Sequence, residues 1–585
     1  MVPNTATPAA TGDAQPDATR PGNTLGQAQV TASPTGHAAT PPTEPSYPEG
    51  PISPNSHFFN LQTEADYLLA SVVPVLLATL LSIPIQVFTS SINHMLPFKA
   101  LRQPTAATAE DSLNLPRGSL LAPVISVRFL QRFKDPLPIL NVLLGLLATL
   151  LVPLSSETIR LEYLPFECHS TVADAEAGAT AKPCPIGLRV SGMPTRAAEA
   201  LLAVIAAVIV LMAFLLWRWR SGLATEPWSI AAMASMLSSS GPELKALMAS
   251  MPPCADGVCL RSGEVEKTFK GKRFHLGGPD THNPDNKGQD GHGGGAHYGI
   301  HTISLPEAED TGEVRLTAQD PPRRSSMKPR TSPASPFDME FFGRILFLVF
   351  IGGLLILILY YENSMLHTGF ETFMDSQTFG VRILFTGMGS IISIFWDFQF
   401  SRVAENQLYQ RLTKQPQPAQ RSILLSPPSS VFTGLWSYVS TKDVVSANVA
   451  LAALLAKFTP ILLSNIPFRN TVTWKTHEAC TWLAVGVLGY MFVVLFASLW
   501  VRRAYMPIAP GSIAGCMYYV CDSAMLKDFE GLACVGRKER NRLVGEMDRR
   551  FIFGEIVGGA AGERRIGVDY LRLEQRAAGW KPGRF

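Results

Sequence analysis

Trp217-Arg-Trp-Arg220, followed after a short gap by Pro227-Trp-Ser-Ile-Ala-Ala-Met233, ends one apolar run and opens a new segment, and the chain does this twice. The second passage reads Trp500-Val-Arg-Arg503 and then Pro510-Gly-Ser-Ile-Ala-Gly-Cys516. The same 283 positions separate Trp217 from Trp500, Pro227 from Pro510, and Ser229-Ile230-Ala231 from Ser512-Ile513-Ala514. Each passage has the chemistry of a membrane exit: tryptophan suits the headgroup level, and arginines just beyond it stay on the cytosolic side. The proline and serine that follow are helix-start residues. A repeated exit fixes sidedness and implies a duplicated architecture.

Composition agrees with a multi-pass membrane protein. At 585 residues the chain exceeds a single soluble core. Hydrophobic residues make up 46% and charged ones 17%, and the mean hydropathy of +0.15 averages long apolar runs with polar loops. A net charge of +3 makes no case for nucleic acid as a partner, and eight cysteines are too few for a disulfide scaffold. The lipid bilayer is the one partner this composition implies.

Residues 1–58 are rich in Pro, Thr, Ala and Gly, with Arg20 as their only basic residue, and read as a disordered outer tail. Seven apolar runs then approach the roughly 20 residues a helix needs to cross a bilayer. They cover about 67–92, 137–156, 197–217, 341–361, 379–398, 445–466 and 479–500. Lys and Arg cluster between runs one and two, between five and six, and after three and seven, whereas 362–378 has neither. The expected topology is therefore N-terminus outside, seven crossings and C-terminus cytosolic, at the plasma membrane. Arg160, Lys182, Arg189 and Arg196 in the second outer loop pull against it, partly offset by Glu157, Glu162, Glu167, Asp174 and Glu176.

The duplication extends beyond the exits. Asn141-Val-Leu-Leu in the second run returns as Asn448-Val-Ala-Leu in the sixth, and the match continues to Pro153 and Pro460. Gln103-Pro104 before Ser112 corresponds to Gln415-Pro416 before Ser422. Arg273-Phe-His-Leu-Gly277 corresponds to Arg550-Phe-Ile-Phe-Gly554, and Gly299-Ile300 to Gly567-Val568. The expected fold is mainly α: a polytopic helical membrane protein with about seven transmembrane helices in two parallel three-helix repeats, plus a linking helix and small cytosolic helix/strand modules. Repeat A covers 59–301, a cytosolic linker 302–340, the linking helix 341–361, repeat B 362–569 and a basic tail 570–585. The linking helix is required because a three-helix unit ends on the opposite side from its start, and a second parallel copy needs one more crossing. Ala200, Ala203 and Ala207 in the third run, and Gly387 and Gly389 in the fifth, are read as close-packing faces. Segments 228–251 and 512–532 are read as one cytosolic helix each, either lying against the inner leaflet or packed beneath the bundle.

His94-Met-Leu-Pro-Phe-Lys-Ala-Leu101, with Pro104 and Ser112-Leu113 after it, resembles the signature of fungal multi-pass membrane proteins carrying a paired domain of unknown function. Ser229-Ile-Ala-Ala-Met233 and the Phe-Gly…Gly-Val-Asp569 stretches resemble the same family, across about 60–570. The second copy departs from the pattern, reading Gln407-Leu-Tyr-Gln-Arg-Leu412. The resemblance implies a fungal integral membrane protein and transfers no activity.

Lys457 falls near the middle of the sixth run, where the matching residue is Leu150. A cation at the centre of a membrane helix costs about 2.5–3.5 kcal/mol unless paired or set in a polar cavity. Two readings are open: a polar pathway containing Lys457, Asn448 and Asn141, or a lysine that snorkels to an interface. Asp397, at the end of the fifth run among Trp396, Phe398 and Phe400, is placed in the interfacial belt. The His- and Gly-rich insertion 278–297 matches no zinc spacing and is read as solvated. Cys254, Cys259, Cys516 and Cys521 are read as buried or idle thiols, with lipidation as the alternative for Cys516 and Cys521, and Ser326 after Arg323-Arg324 as a phosphorylation candidate. No metal site, cofactor site or catalytic motif emerges, so the chain is not expected to be an enzyme. A structural or organising membrane component is the first expectation for function, and a transporter or channel with a polar pathway between the repeats is the alternative. Cys168 and Cys184 share the second outer loop, where a disulfide is expected to form. Reduction of the intact protein should therefore add the mass of one pair of hydrogens, and an unchanged mass would count against both the bridge and the topology.

Overall fold

The computed structural model describes residues 58–60, 71–103, 106–115, 135–163, 186–219, 223, 226–251, 267–277, 298–303, 336–363, 369, 373–374, 380–467, 474–501, 506, 508–558 and 563–571. The first repeat contributes helices α1 (Val73–Leu101), α2 (Leu137–Ser155), α3 (Gly192–Arg218), α4 (Ile230–Ser238) and α5 (Pro242–Ala249). Helix α6 (Pro336–Asn363) connects it to the second, which comprises α7 (Val381–Lys414), α8 (Val431–Ser440), α9 (Val444–Ala456), α10 (Thr459–Ser464), α11 (Trp474–Trp500), α12 (Ile513–Tyr518) and α13 (Arg537–Glu546). Strands are β1 (Phe58–Asn60), β2 (Ala107–Thr108), β3 (Ile159–Tyr163), β4 (Ile186–Val190), β5 (Arg273–Gly277), β6 (Gly299–Ile303), β7 (Gln417–Pro418), β8 (Arg550–Gly558) and β9 (Glu563–Tyr570).

Six described helices are long and apolar enough to cross a bilayer: α1, α2, α3, α6, α7 and α11. The sixth apolar run differs from the continuous helix its length predicts, because it is divided into α9 and α10 at Lys457-Phe458. Pro460 has no N–H to give the carbonyl of Ala456. The Thr459 hydroxyl donates to that carbonyl instead, at 2.7 Å. Helices α1 and α7 outrun their apolar stretches because their last turns belong to a second core. Phe98, Leu101, Leu408, Tyr409 and Leu412 are buried there, away from the membrane-spanning clusters.

Packing within the bundle corrects the small-residue expectation for α3 and half of that for the fifth run, where Gly387 has open space around it. Ala200, Ala203 and Ala207 face outward, and α3 instead buries Ala198, Ile205, Val208 and Met212. Gly389 is a close-approach site: a Cβ there would lie 2.6 Å from Pro460 Cα. Its carbonyl also accepts the Thr459 hydroxyl at 3.2 Å, which joins α7 to α10. Helix α6 packs on α7 and α11, with Phe347 stacked on Phe395 at 3.5 Å between ring centroids and Gly352 against Phe492.

The duplication is visible in two sheets of the same construction. One has the order β2-β5-β6 and the other β7-β8-β9, both antiparallel. Thr108 pairs Arg273 as Pro418 pairs Arg550, and Gly277 pairs Gly299 as Gly554 pairs Gly567. Ser112 Oγ donates to the Thr108 carbonyl at 2.7 Å, and Ser422 Oγ to that of Pro418 at 2.8 Å. Ser229 caps α4 through the N–H of Ala232, and Ser512 caps α12 through that of Gly515. A third sheet, β1-β4-β3, lies at the opposite ends of the helices, where Arg382 of α7 donates to the Ile159 carbonyl at 3.1 Å. The alternation of residues 159–163 and 186–190 is too short and too charged to have announced it.

The inner modules exchange partners. Ala231 N–H, at the start of α4 in the first repeat, donates to Ile423 O in the second at 3.0 Å. Ala514 N–H, at the start of α12, donates to Leu113 O in the first at 2.9 Å. One hydrophobic core then spans both modules, with Met233, Leu237 and Phe274 from the first beside Met517, Tyr519 and Phe553 from the second. Arg565 of β9 reaches across to the end of α5, where its guanidinium donates to the carbonyls of Met248, Ala249 and Met251 and pairs with Asp522 at 2.7 Å. Such a bouquet satisfies helix-end acceptors with the fork that only arginine offers.

The two expected cytosolic helices are shorter than predicted. Gly241-Pro242 divides the first into α4 and α5, and the second ends at Tyr518 before a turn and a short 3-10 segment, Ala524–Lys527. Every residue of α4 and of α12 is buried, so both are core helices rather than interfacial ones. The strands sit tightly on them. A Cβ at Gly299 would lie 2.7 Å from Met236 O, and one at Gly567 would lie 2.7 Å from Tyr519 O, whereas Gly554 has open space. Gly299→Ala and Gly567→Ala should therefore each destabilise the fold by roughly 1–3 kcal/mol, the usual range for overpacking. In thermal melts of the purified protein Gly554→Ala should stay near wild type.

Candidate functional site: a cavity between the repeats

A cavity of about 350 Å³ opens between α1 of the first repeat and α7 of the second, with the 427–432 loop beside it and the end of α9 behind it. Helical spacing places Gln86, Ser90, Asn93 and His94 on its α1 wall, and Asp397, Ser401 and Glu405 on its α7 wall. Lys457 enters at the α9–α10 break, where the backbone has left the regular helical ladder.

The Lys457 ammonium donates to Asp397 Oδ2 and to Gln86 Oε1. The lysine side chain is 8% exposed, whereas that of Asp397 is 34% exposed. Lys457 is thus neither snorkelling nor alone: three elements from both repeats converge on its charge. Asp397, expected only as one residue of an interfacial belt, forms the counter-charge of this pair.

The two asparagines grouped with Lys457 are placed differently. Asn141 is buried behind the α1 wall, donating through Nδ2 to Asn93 Oδ1 at 2.7 Å and to Thr89 O at 3.2 Å. It supports the cavity without lining it. Asn448 faces α11, where it accepts the Tyr490 hydroxyl at 2.8 Å and donates to Val444 O, and it does not join the cluster. Gln86, Asp397 and Glu405 are site residues that the sequence reading does not mark. The signal for Asp397 was available: an acidic and a basic residue in two apolar runs of one bundle are each other's simplest partner.

One end of the cavity is tied to the two helix-and-strand modules. Trp228 Nε1–H donates to His94 O at 2.8 Å, and the indole meets Phe98 edge-on at 5.3 Å between centroids. In the second repeat the corresponding position is Gly511. A Cβ there would fall 2.5 Å from Glu405 Oε2, so the glycine makes room for the carboxylate.

The other sequence candidates are placed as follows. Cys168, Cys184, Cys254, Cys259, Ser326 and the 278–297 insertion lie outside the described residues. Cys516 is buried and donates to Pro510 O at 3.0 Å. Burial, with Asp522 adding to it and Arg565 opposing, pushes the Cys521 thiol up to about 12. Neither thiol is presented for lipidation.

A family profile described as "Protein of unknown function (DUF3433)" matches residues 68–160 and again 379–468. The first match covers α1 and α2 and the second α7 to α10, and together they hold Gln86, Asp397 and Lys457. The internal repeat is thereby seen from a comparison independent of the fold. No curated protein and no solved structure matches the chain.

Truncating one member of a buried pair strands the other. Lys457→Met should cost about 1–3 kcal/mol of stability, less than the roughly 3–5 kcal/mol of a fully buried pair because Asp397 keeps part of its surface open, and Lys457→Met/Asp397→Asn should recover most of it. Thermal melts of the single and double variants in one detergent check this.

Proposed function

We propose that this is an integral membrane protein that binds a small polar solute in the cavity between its repeats and passes it across the bilayer. The observation that carries the reading is the Lys457–Asp397–Gln86 cluster lining a cavity to which both repeats contribute walls. A bundle with only a packing role is better served by apolar side chains at such a depth, since a buried ion pair is weak evidence of stability. Binding sites at the interface of two repeats, near the bilayer midplane, are how many repeat-built transporters hold their substrates. This puts the transport reading ahead of the organising role that the sequence alone favours.

In this reading the repeats are parallel, α9 and α10 together make the remaining crossing, and α6 is the crossing that allows the second copy to begin on the first copy's starting side. The N-terminus lies outside the plasma membrane of a fungal cell, and the two modules sit beneath it in the cytosol. Trp217 and Trp500, 89% and 76% exposed, then stand at one headgroup level. Helix α8 suits the same level, with Val431, Gly434 and Tyr438 turned inward and Phe432, Trp436 and Val439 exposed. One observation favours the organising role as a second reading: the outward-facing Ala200, Ala203 and Ala207 leave α3 a small-residue face for a neighbouring helix.

Cysteine accessibility separates the two. Ser90→Cys and Ser401→Cys, placed on opposite walls, should react with a membrane-impermeant methanethiosulfonate added to one side of sealed vesicles. Both positions unreactive from either side would mean a closed bundle and leave the organising reading standing.

A further inference from the structure

We infer that the solute the cavity accepts is a small monovalent organic ammonium ion that engages the Asp397 carboxylate beside or in place of Lys457, an inference that rests on the solute-binding reading above. The argument begins with which half of the ion pair is open. The ammonium of Lys457 is enclosed, with a carboxylate and an amide oxygen already accepting from it, whereas Asp397 keeps about a third of its side-chain surface open and lines the cavity. A solute entering here therefore meets an anion first.

The rest of the lining points the same way. Lys457 is the only Lys or Arg among the described lining residues, and the other charged one is a second carboxylate, Glu405. Arg402 approaches Glu405 to 4.0 Å but does not line the cavity, so it moderates Glu405 without offering a site to an anion. A negatively charged solute would face two carboxylates with the one cation engaged elsewhere. A cation would face Asp397 together with the hydroxyl-bearing side chains of Ser90 and Ser401.

Size and shape favour an organic cation over a bare metal ion. About 350 Å³ is far more than a dehydrated alkali ion fills. Beside the polar residues of both walls, Phe398, Phe400, Phe432 and Pro428 add apolar surface. Alkylated ammonium groups suit such a mixed site, because a carboxylate balances the charge and aromatic faces accept the methyl-bearing surface. The cavity already holds an alkylammonium on these acceptors, namely the end of the Lys457 side chain, so the geometry for that chemistry is built.

The test uses the full chain in detergent, with melting temperature as readout and ionic strength held constant. Tetramethylammonium chloride should raise the melting temperature of the wild type saturably, and sodium acetate should not. Asp397→Asn should lose the shift, and Asp397→Glu, which keeps the charge, should retain it. Lys457→Met, which removes the internal competitor, should lower the half-saturating concentration by roughly tenfold. An equal saturable shift with sodium chloride would overturn the organic part of the inference in favour of an alkali ion. A shift given by acetate with a non-binding cation, or an unchanged tetramethylammonium shift in Asp397→Asn, would overturn it entirely. Failure of the solute-binding reading looks different: Ser90→Cys and Ser401→Cys stay unreactive. If they react while no cation shifts the wild type, the reading stands and this inference falls.

Discussion

Two backbone hydrogen bonds, Ala231 N–H to Ile423 O and Ala514 N–H to Leu113 O, hold the protein to its architecture. Each leaves the first turn of a buried inner helix and ends in the other repeat. A helix start has N–H groups that its own turn cannot satisfy, and these ones are buried, so they must find acceptors. Supplying the acceptor from the opposite repeat makes each module's burial conditional on the other's presence. A single bond of this kind contributes about 0.5–1.5 kcal/mol net, but it sets the register of a hydrophobic core drawn from both modules. The close approach of β6 to α4 and of β9 to α12, at Gly299 and Gly567, is made within each module, where Ile300 N–H donates to Ser240 Oγ at 3.3 Å and Val568 N–H to Tyr519 O at 2.7 Å.

The same interlock positions the cavity. Helices α1 and α7 extend beyond their apolar stretches into the shared inner core, and each is held there at a residue that also lines the cavity. His94 is fixed through the indole of Trp228, and the Glu405 carboxylate fits the space left by Gly511. The cavity walls are therefore rigid continuations of the inner modules. The Lys457–Asp397 pair lies farther along the same walls, where both charges cost least if they meet.

Much of this was legible in the sequence, because duplication writes itself twice. Trp217 and Trp500 each close a long apolar helix, and the Arg-Phe and Gly-containing pairs of the strands, with Ser112 and Ser422, occupy equivalent positions in the two sheets. The exchange of partners left no trace, since it is made by backbone groups that carry no side-chain signature. Core burial of α4 was hidden for a related reason: alanines and serines around the whole circumference of Ile230–Ser238 look amphipathic only if one face is assumed to be wet. The site was half legible. Lys457 announced itself by its charge, but Asp397 stands among aromatics that resemble an interfacial belt, and Gln86 is neutral. Only the fold brings positions so far apart in the chain together.

Arg565 lies late in the chain, yet its guanidinium closes the carbonyl end of α5 in the first repeat. Translation delivers the parts in the opposite order to their dependence. The helices of the first repeat can enter the bilayer as they emerge, but the acceptors at Met248, Ala249 and Met251 wait for a residue made more than 300 positions later. Until then the first module lacks the surface of the second that completes their common core. The last strand of the fold is thus the one that closes its earliest module.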